Sequence, residues 1–156
     1  MARIVFELDI DAPAKQIVEA LDTRQGIAGW WTEDVTFPGG PGSQMTLGFP
    51  GHAPKPFELR VDEASEQRVR WSSVGDFPPH WVGTEIIWTL TPKAGSGTTV
   101  HFNHDGWASD EGPLPMSAMT WGQLMGSLKA FVETGEGAPL VRTSGGCGRA
   151  GQARQS

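Results

Sequence analysis

The chain reads as an α+β domain: an antiparallel sheet curled around one long C-terminal helix, with two short helices after the first strand. Three observations predict this. The first is order, since a strand pattern, two short helical patterns, a series of strand patterns and a long amphipathic helix follow one another. Strands grouped apart from helices mark α+β architectures, not alternating parallel ones. The second is the placement of tryptophan. Trp30-Trp31 follows the short helical patterns, Trp71 and Trp88 lie in strand patterns, and Trp121 sits on the last helix. The third is size, because 156 residues suit one domain with a core of its own.

Residues 4–10 alternate, with Ile4, Phe6, Leu8 and Ile10 against Val5, Glu7 and Asp9, the period of a half-buried strand. Asp11-Ala12-Pro13 then opens a helix, Asp11 serving as N-cap and Pro13 falling early, where its missing N–H is harmless. Ile17, Val18 and Leu21 form the apolar face of that helix. Asp22 or Thr23 caps a second short helix toward Trp30, although Gly26 and Gly29 weaken it. Residues 37–55 are dense in Gly and Pro and read as loop, with Thr46 to Phe49 a strand within it.

Residues 57–61 and 68–71 alternate apolar with charged and form a hairpin across Asp62 to Gln67. Arg68 and Arg70 are then expected outside, across from Glu58 or Arg60. Residues 84–91 and 99–104 form a second hairpin, joined through Pro92 to Gly97. A loop is expected over 105–116. The last helix is expected from Ser117 to Thr134, about 27 Å long, with Gly135 as its stop. Trp121, Leu124, Met125, Leu128, Phe131 and Val132 share one side of it. Gly122 and Gly126 form a stripe beside that face and allow close approach of another backbone, from this chain or a second subunit. The domain is expected to span residues 1–141, with 142–156 as a disordered tail.

The net charge is −6, and removing the +3 of residues 142–156 leaves a body of −9. An acidic body lacks the basic footprint of nucleic-acid binding and of a polybasic membrane anchor. No apolar run nears the roughly 20 residues of a membrane span, and the N-terminus has no signal-peptide core. A cytoplasmic protein is expected. Cys147 is the single cysteine, in a Gly-rich stretch with nothing fixed nearby to activate it. There is no nucleophile elbow and no phosphate-binding loop. His101 and His104 are spaced to chelate on a helix but face opposite ways on a strand, so no metal is expected.

With these segments laid out, the chain resembles the START-like (SRPBCC, helix-grip) superfamily. Within it, the chain looks most like the activator-of-Hsp90-ATPase homologue group of small bacterial proteins. The resemblance rests on Ala12-Pro13 with Ile17 to Leu21, Gly26 to Thr32, Arg68 to Trp71, Gly83 to Ile86, Gly97 to Val100, His104 to Trp107, and Trp121 to Lys129 with Glu133 and Gly135. It implies a six- or seven-stranded antiparallel sheet gripping the C-terminal helix, commonly around a cavity. Members bind lipids, sterols, polyketides or plant hormones; some are cyclases or hydrolases, and some are co-chaperone domains.

The expected function is binding of a hydrophobic small molecule (lipid, polyketide or similar) in a cavity between sheet and helix. Such sites are mostly apolar with a few polar anchors. Seven Trp with no Tyr supply aromatic surface, though Trp71 and Trp121 also read simply as core. Adjacent side chains point in different directions, so only one of Trp30 and Trp31 is expected to be deep. Trp81 and Trp107 are placed in or beside loops. The expected ligand-binding set is Trp30, Trp31, Trp71, Phe102, His104, Trp107, Met119, Trp121, Leu124 and Leu128, with no catalytic residue and no cofactor. Two rivals stand beside it. One is a cyclase- or hydrolase-like enzyme using His104 and Glu85, which requires both on one substrate. The other is a chaperone-partner domain. A homodimer is also open.

Overall fold

The computed structural model describes residues 2–142. The first alternating segment forms β1 (Ala2–Ile10), which turns Ile4 and Ile10 inward and leaves Arg3, Val5, Glu7 and Asp9 outside. Two helices follow, α1 (Ala14–Asp22) and α2 (Arg24–Trp30). Asp11 does not cap α1. Pro13 holds the cap position without a side-chain bond, and the Asp11 N–H instead donates to the Glu133 carboxylate at 2.8 Å. Thr23 does cap α2, its hydroxyl accepting from Gly26 N–H at 3.0 Å. Gly26 and Gly29 are packing sites, not weak points. A Cβ on Gly26 would lie 2.5 Å from the Glu19 carbonyl oxygen, and one on Gly29 would lie 2.2 Å from the Phe131 ring.

The remaining strands are β2 (Val35–Thr36), β3 (Gln44–Leu47), β4 (Phe57–Ala64), β5 (Arg68–Val74), β6 (Glu85–Pro92) and β7 (Thr98–Trp107). They form one seven-stranded antiparallel sheet in the order β1-β7-β6-β5-β4-β3-β2. β3 ends at Leu47, two residues before the expected Phe49. Arg68 lies opposite Thr89 and pairs with Glu63 at 2.9 Å, while Arg70 lies opposite Glu63 and Ile87 and 3.9 Å from Glu85. Neither meets Glu58 or Arg60 as expected, because the ladder sets Val74 opposite Glu58 and Ser72 opposite Arg60; the register shift at Asp62 then brings Arg70 opposite Glu63.

β7 outlasts its expected end at His104. Gly106, at φ 96°, is the extra residue of a bulge where Ala2 faces Trp107 and Arg3 faces Asp105. The bulge returns Trp107 to the inner face, where it is 2% exposed. The last helix, α3 (Pro113–Thr134), starts four residues before the expected Ser117. Pro113 and Pro115 fall in its first turn, whose N–H groups have no helical partner to lose. Gly135, at φ 89°, ends it as expected.

α3 packs across the inner face of the sheet, and α2 packs on α3. The core between them is aromatic: Trp30 meets Trp88, Trp71 stacks on Trp31, and Phe102 lies between Trp88 and Trp121. Both Trp30 and Trp31 are deep, at 0% and 2% exposed, contrary to the expectation of one. Trp30 ends α2 and sends its indole N–H to the Ala20 carbonyl at 2.8 Å. Trp31 leaves the helix and faces Trp71 and Trp121. After α3 the chain crosses back, with Leu140 N–H donating to the Trp31 carbonyl and Glu33 N–H to the Val141 carbonyl. Ser127 ties this return together, its hydroxyl donating to the Trp30 carbonyl and accepting from Ala138 N–H, both at 2.8 Å. Of the expected tail only Arg142 is described, beside Glu33 and the Gly137 carbonyl. Residues 143–156, Cys147 included, lie outside the described residues.

Candidate functional site

Indoles and Phe102 occupy much of the space between the sheet and the middle of α3. A half-open cavity of about 430 Å³ lies instead at the N-terminal end of that helix. Three elements enclose it. α3 contributes Met116, Ser117, Thr120, Trp121, Gln123 and Leu124. The loop into β4 contributes Phe49, His52 and Ala53, followed by Phe57. A single 3₁₀ turn over Pro79–Trp81 contributes His80 and Trp81, and Trp31 and Leu140 close the inner side.

The aromatic walls hold one another. Trp81 lies parallel to Trp121 with centroids 6.1 Å apart, and Phe57 meets Trp81 edge-on at 4.9 Å. Trp31 lies 5.2 Å from Trp121 and 6.2 Å from Phe49. Such offset and edge contacts add to the area each ring buries. Among the described residues no Asp, Glu, Lys or Arg lines the cavity; beside its three indoles, its polar side chains are two hydroxyls, one amide and two imidazoles. Burial pushes the His80 imidazole below its ordinary range, toward the neutral form. Its ring stacks on Trp107 at 5.5 Å.

Behind this wall runs a directed chain of hydrogen bonds. The Trp121 indole N–H donates to His104 Nδ1 at 3.2 Å. An indole can only donate, so Nδ1 is the acceptor and the ring proton sits on Nε2. His104 Nε2–H then donates to the Thr84 hydroxyl at 2.9 Å, and that hydroxyl donates to the Trp81 carbonyl at 2.6 Å. The chain thus joins α3 to the 3₁₀ turn, the two elements that carry the facing indoles. Burial, with His80 nearby, pushes the His104 pKa down to about 3. The neutral ring satisfies every partner, and a second proton would set two donors against each other.

Of the expected ligand-binding residues, the structure brings Trp31, Trp121 and Leu124 to the cavity. Trp30, Trp71, Phe102, His104, Trp107 and Leu128 are buried behind it, and Met119 is 73% exposed on the outer side of α3. The proposed acid/base pair does not meet. Ile86 faces His104 across the strands while Glu85 faces Asp105, so Glu85 and His104 lie on opposite faces of the sheet. The strand period imposes this. His101 is likewise on the outer face, beside Asn103. Among the described residues no group of His, Cys, Asp and Glu gathers as a metal site.

Sequence reasoning missed Phe49, His52, Ala53, Phe57, His80, Met116, Ser117, Thr120, Gln123 and Leu140, and did not include Trp81 in its set. The available signal was two Pro-rich segments that each carry a histidine and an aromatic residue, in the loop positions where ligand contacts concentrate.

Comparison with known proteins fits this geometry. A family model described as "Activator of Hsp90 ATPase homolog 1-like protein" matches residues 11–133. No curated protein sequence matches the chain. Among solved structures, the Aha1 dimer from Colwellia psychrerythraea is 30% identical with a TM-score of 0.78, covering 88% of this chain and 100% of that one. Protein SSP2350 from Staphylococcus saprophyticus is 17% identical with a TM-score of 0.71, covering 90% and 98%. DynU16, from the dynemicin biosynthetic locus, is 23% identical with a TM-score of 0.69, covering 90% of this chain and 51% of that one. The last two share the fold. The seven-stranded helix-grip fold and the match over residues 11–133 establish that the chain belongs to the activator of Hsp90 ATPase homolog 1-like protein family.

Proposed function

We propose that this protein binds a neutral, apolar small molecule, such as a lipid or polyketide, in the half-open cavity at the N-terminal end of α3. The observation that carries the reading is the cavity itself: about 430 Å³, walled by Trp31, Trp81 and Trp121 and, among the described residues, free of charged side chains. Its size falls within the range of small-molecule sites, and its polar groups are few. A charged ligand would find no counter-ion among the described lining residues. Ser117, Thr120 and Gln123 supply hydrogen bonds for one polar end of the ligand.

Native mass spectrometry of the purified protein, followed by denaturing extraction, tests this directly. A defined apolar adduct supports the reading. Titration with the neutral probe 1-N-phenylnaphthylamine is the second measurement. Saturable binding that Ser117→Trp abolishes supports the cavity, while an empty protein and no saturable binding overturn the reading.

A second reading is an interaction domain acting on a chaperone, as the family's description implies. The exposed Met116, Met119 and Val82 favour it. Affinity capture with a purified Hsp90-type chaperone distinguishes the two. We also read the protein as a homodimer, in line with the dimeric Colwellia relative. No described helix is long and apolar enough to cross a membrane.

A further inference from the structure

We infer that β1 is the seam of the homodimer, two copies pairing edge to edge in antiparallel register with Val5 opposite Val5. The inference rests on the homodimer reading above and names its surface.

β1 is a terminal strand of the sheet, bound on one side by β7 alone. The direction of its free groups follows from the ladder. Lys93 N–H donates to the Gly97 carbonyl, which makes Pro92 and Thr98 a non-hydrogen-bonded pair. Thr98 therefore directs its backbone groups toward β1. Its partner Ile10, and with it Leu8, Phe6 and Ile4, bond to β7. The backbone N–H and C=O of Arg3, Val5, Glu7 and Asp9 must then point away from the sheet. An independent contact agrees: the Asp9 carbonyl accepts from Lys129 Nζ at 2.6 Å. No described residue bonds the outward groups of Arg3, Val5 or Glu7.

These three residues form a self-complementary unit. In an antiparallel pairing centred on Val5, each Val5 N–H meets the other copy's Val5 carbonyl, and Arg3 falls opposite Glu7 twice. Arg3 and Glu7 are exposed and take part in no ion pair among the described residues. Val5 is 47% exposed, an apolar side chain on the outer face where the two-fold axis would pass. Opposite charges directly across an antiparallel pair stabilise it, and like charges oppose it. The seam also has a built-in end, because Lys129 occupies the next outward carbonyl, at Asp9. An isologous interface requires such self-complementarity, and an unprotected strand of this length is a ready template for a second chain.

Charge reversal at the seam tests the inference without disturbing the core. The stoichiometry of wild type, Arg3→Glu, Glu7→Arg and the double variant is measured by sedimentation equilibrium at low salt. The expected result is a dimer for wild type and a dissociation constant raised about tenfold in each single variant. The double variant should return to wild-type affinity, because its charges pair again. A wild-type dimer that neither single change weakens overturns the β1 seam and leaves the dimer reading standing. A wild-type monomer overturns both.

Discussion

The Trp121 indole N–H donates to His104 Nδ1 across 3.2 Å of buried interior, and that one bond sets the state of the histidine. It holds the ring as the neutral Nε2–H tautomer. Imidazole ¹⁵N spectra should show this tautomer for His104 unchanged from neutral pH down to roughly pH 4. A protonated ring in that interval would contradict the arrangement.

Stability should fall with acid in a window that His104 defines. Its pKa is about 3 in the fold against an ordinary 6.5 in the unfolded chain. Between these values the unfolded state binds the extra proton, so the contribution is whole above pH 6.5 and drains away as pH drops toward 3. The slope is about 1.4 kcal/mol per pH unit. His80, also depressed by burial, adds in the same direction. Denaturant unfolding of wild type and His104→Leu across pH 7 to 4.5 isolates the share of His104. The variant should be about 1–3 kcal/mol less stable at pH 7, because it orphans the Trp121 N–H, and its stability should depend less on pH.

Two glycine substitutions should move stability in opposite directions. Gly26→Ala drives a methyl into the backbone of Glu19 and Ala20, which cannot yield without moving α1, and should cost about 1–3 kcal/mol. Gly126→Ala meets nothing within 4 Å inside α3 and should stabilise by about 0.5–1 kcal/mol through helix propensity. Thermal unfolding of the two variants side by side is sufficient, and equal signs would refute the packing described for α1 and α2.

Ser127→Ala should loosen the return of the chain after α3. The hydroxyl joins the Trp30 carbonyl to Ala138 N–H, and its loss leaves both buried or half-buried groups short of a partner, worth about 1–3 kcal/mol. Hydrogen exchange should accelerate first at Leu140, whose N–H bonds the Trp31 carbonyl.

Periodicity along the chain determined much of this protein without help from the fold. The alternation in β1 and β7 assigned Ile4 and Phe102 inward and His101 outward, because the strand period of two is a local property; in β6 it grouped Ile86, Trp88 and Leu90 on one face, and only the packed sheet made that face the inner one. The helical spacing of Trp121, Leu124 and Leu128 placed the buried side of α3 in the same way. Tertiary structure decided the rest. The bulge at Gly106 carried β7 on to Trp107, and Glu133, 122 residues away, took the N–H of Asp11. Whether the space under α3 stayed open depended on how five indoles pack together, which no local pattern encodes. The cavity forms where two segments without a periodic pattern, at Phe49 to Ala53 and His80 to Trp81, meet α3 across long sequence separations. Local sequence sets which way a side chain faces; long-range packing sets what it meets there.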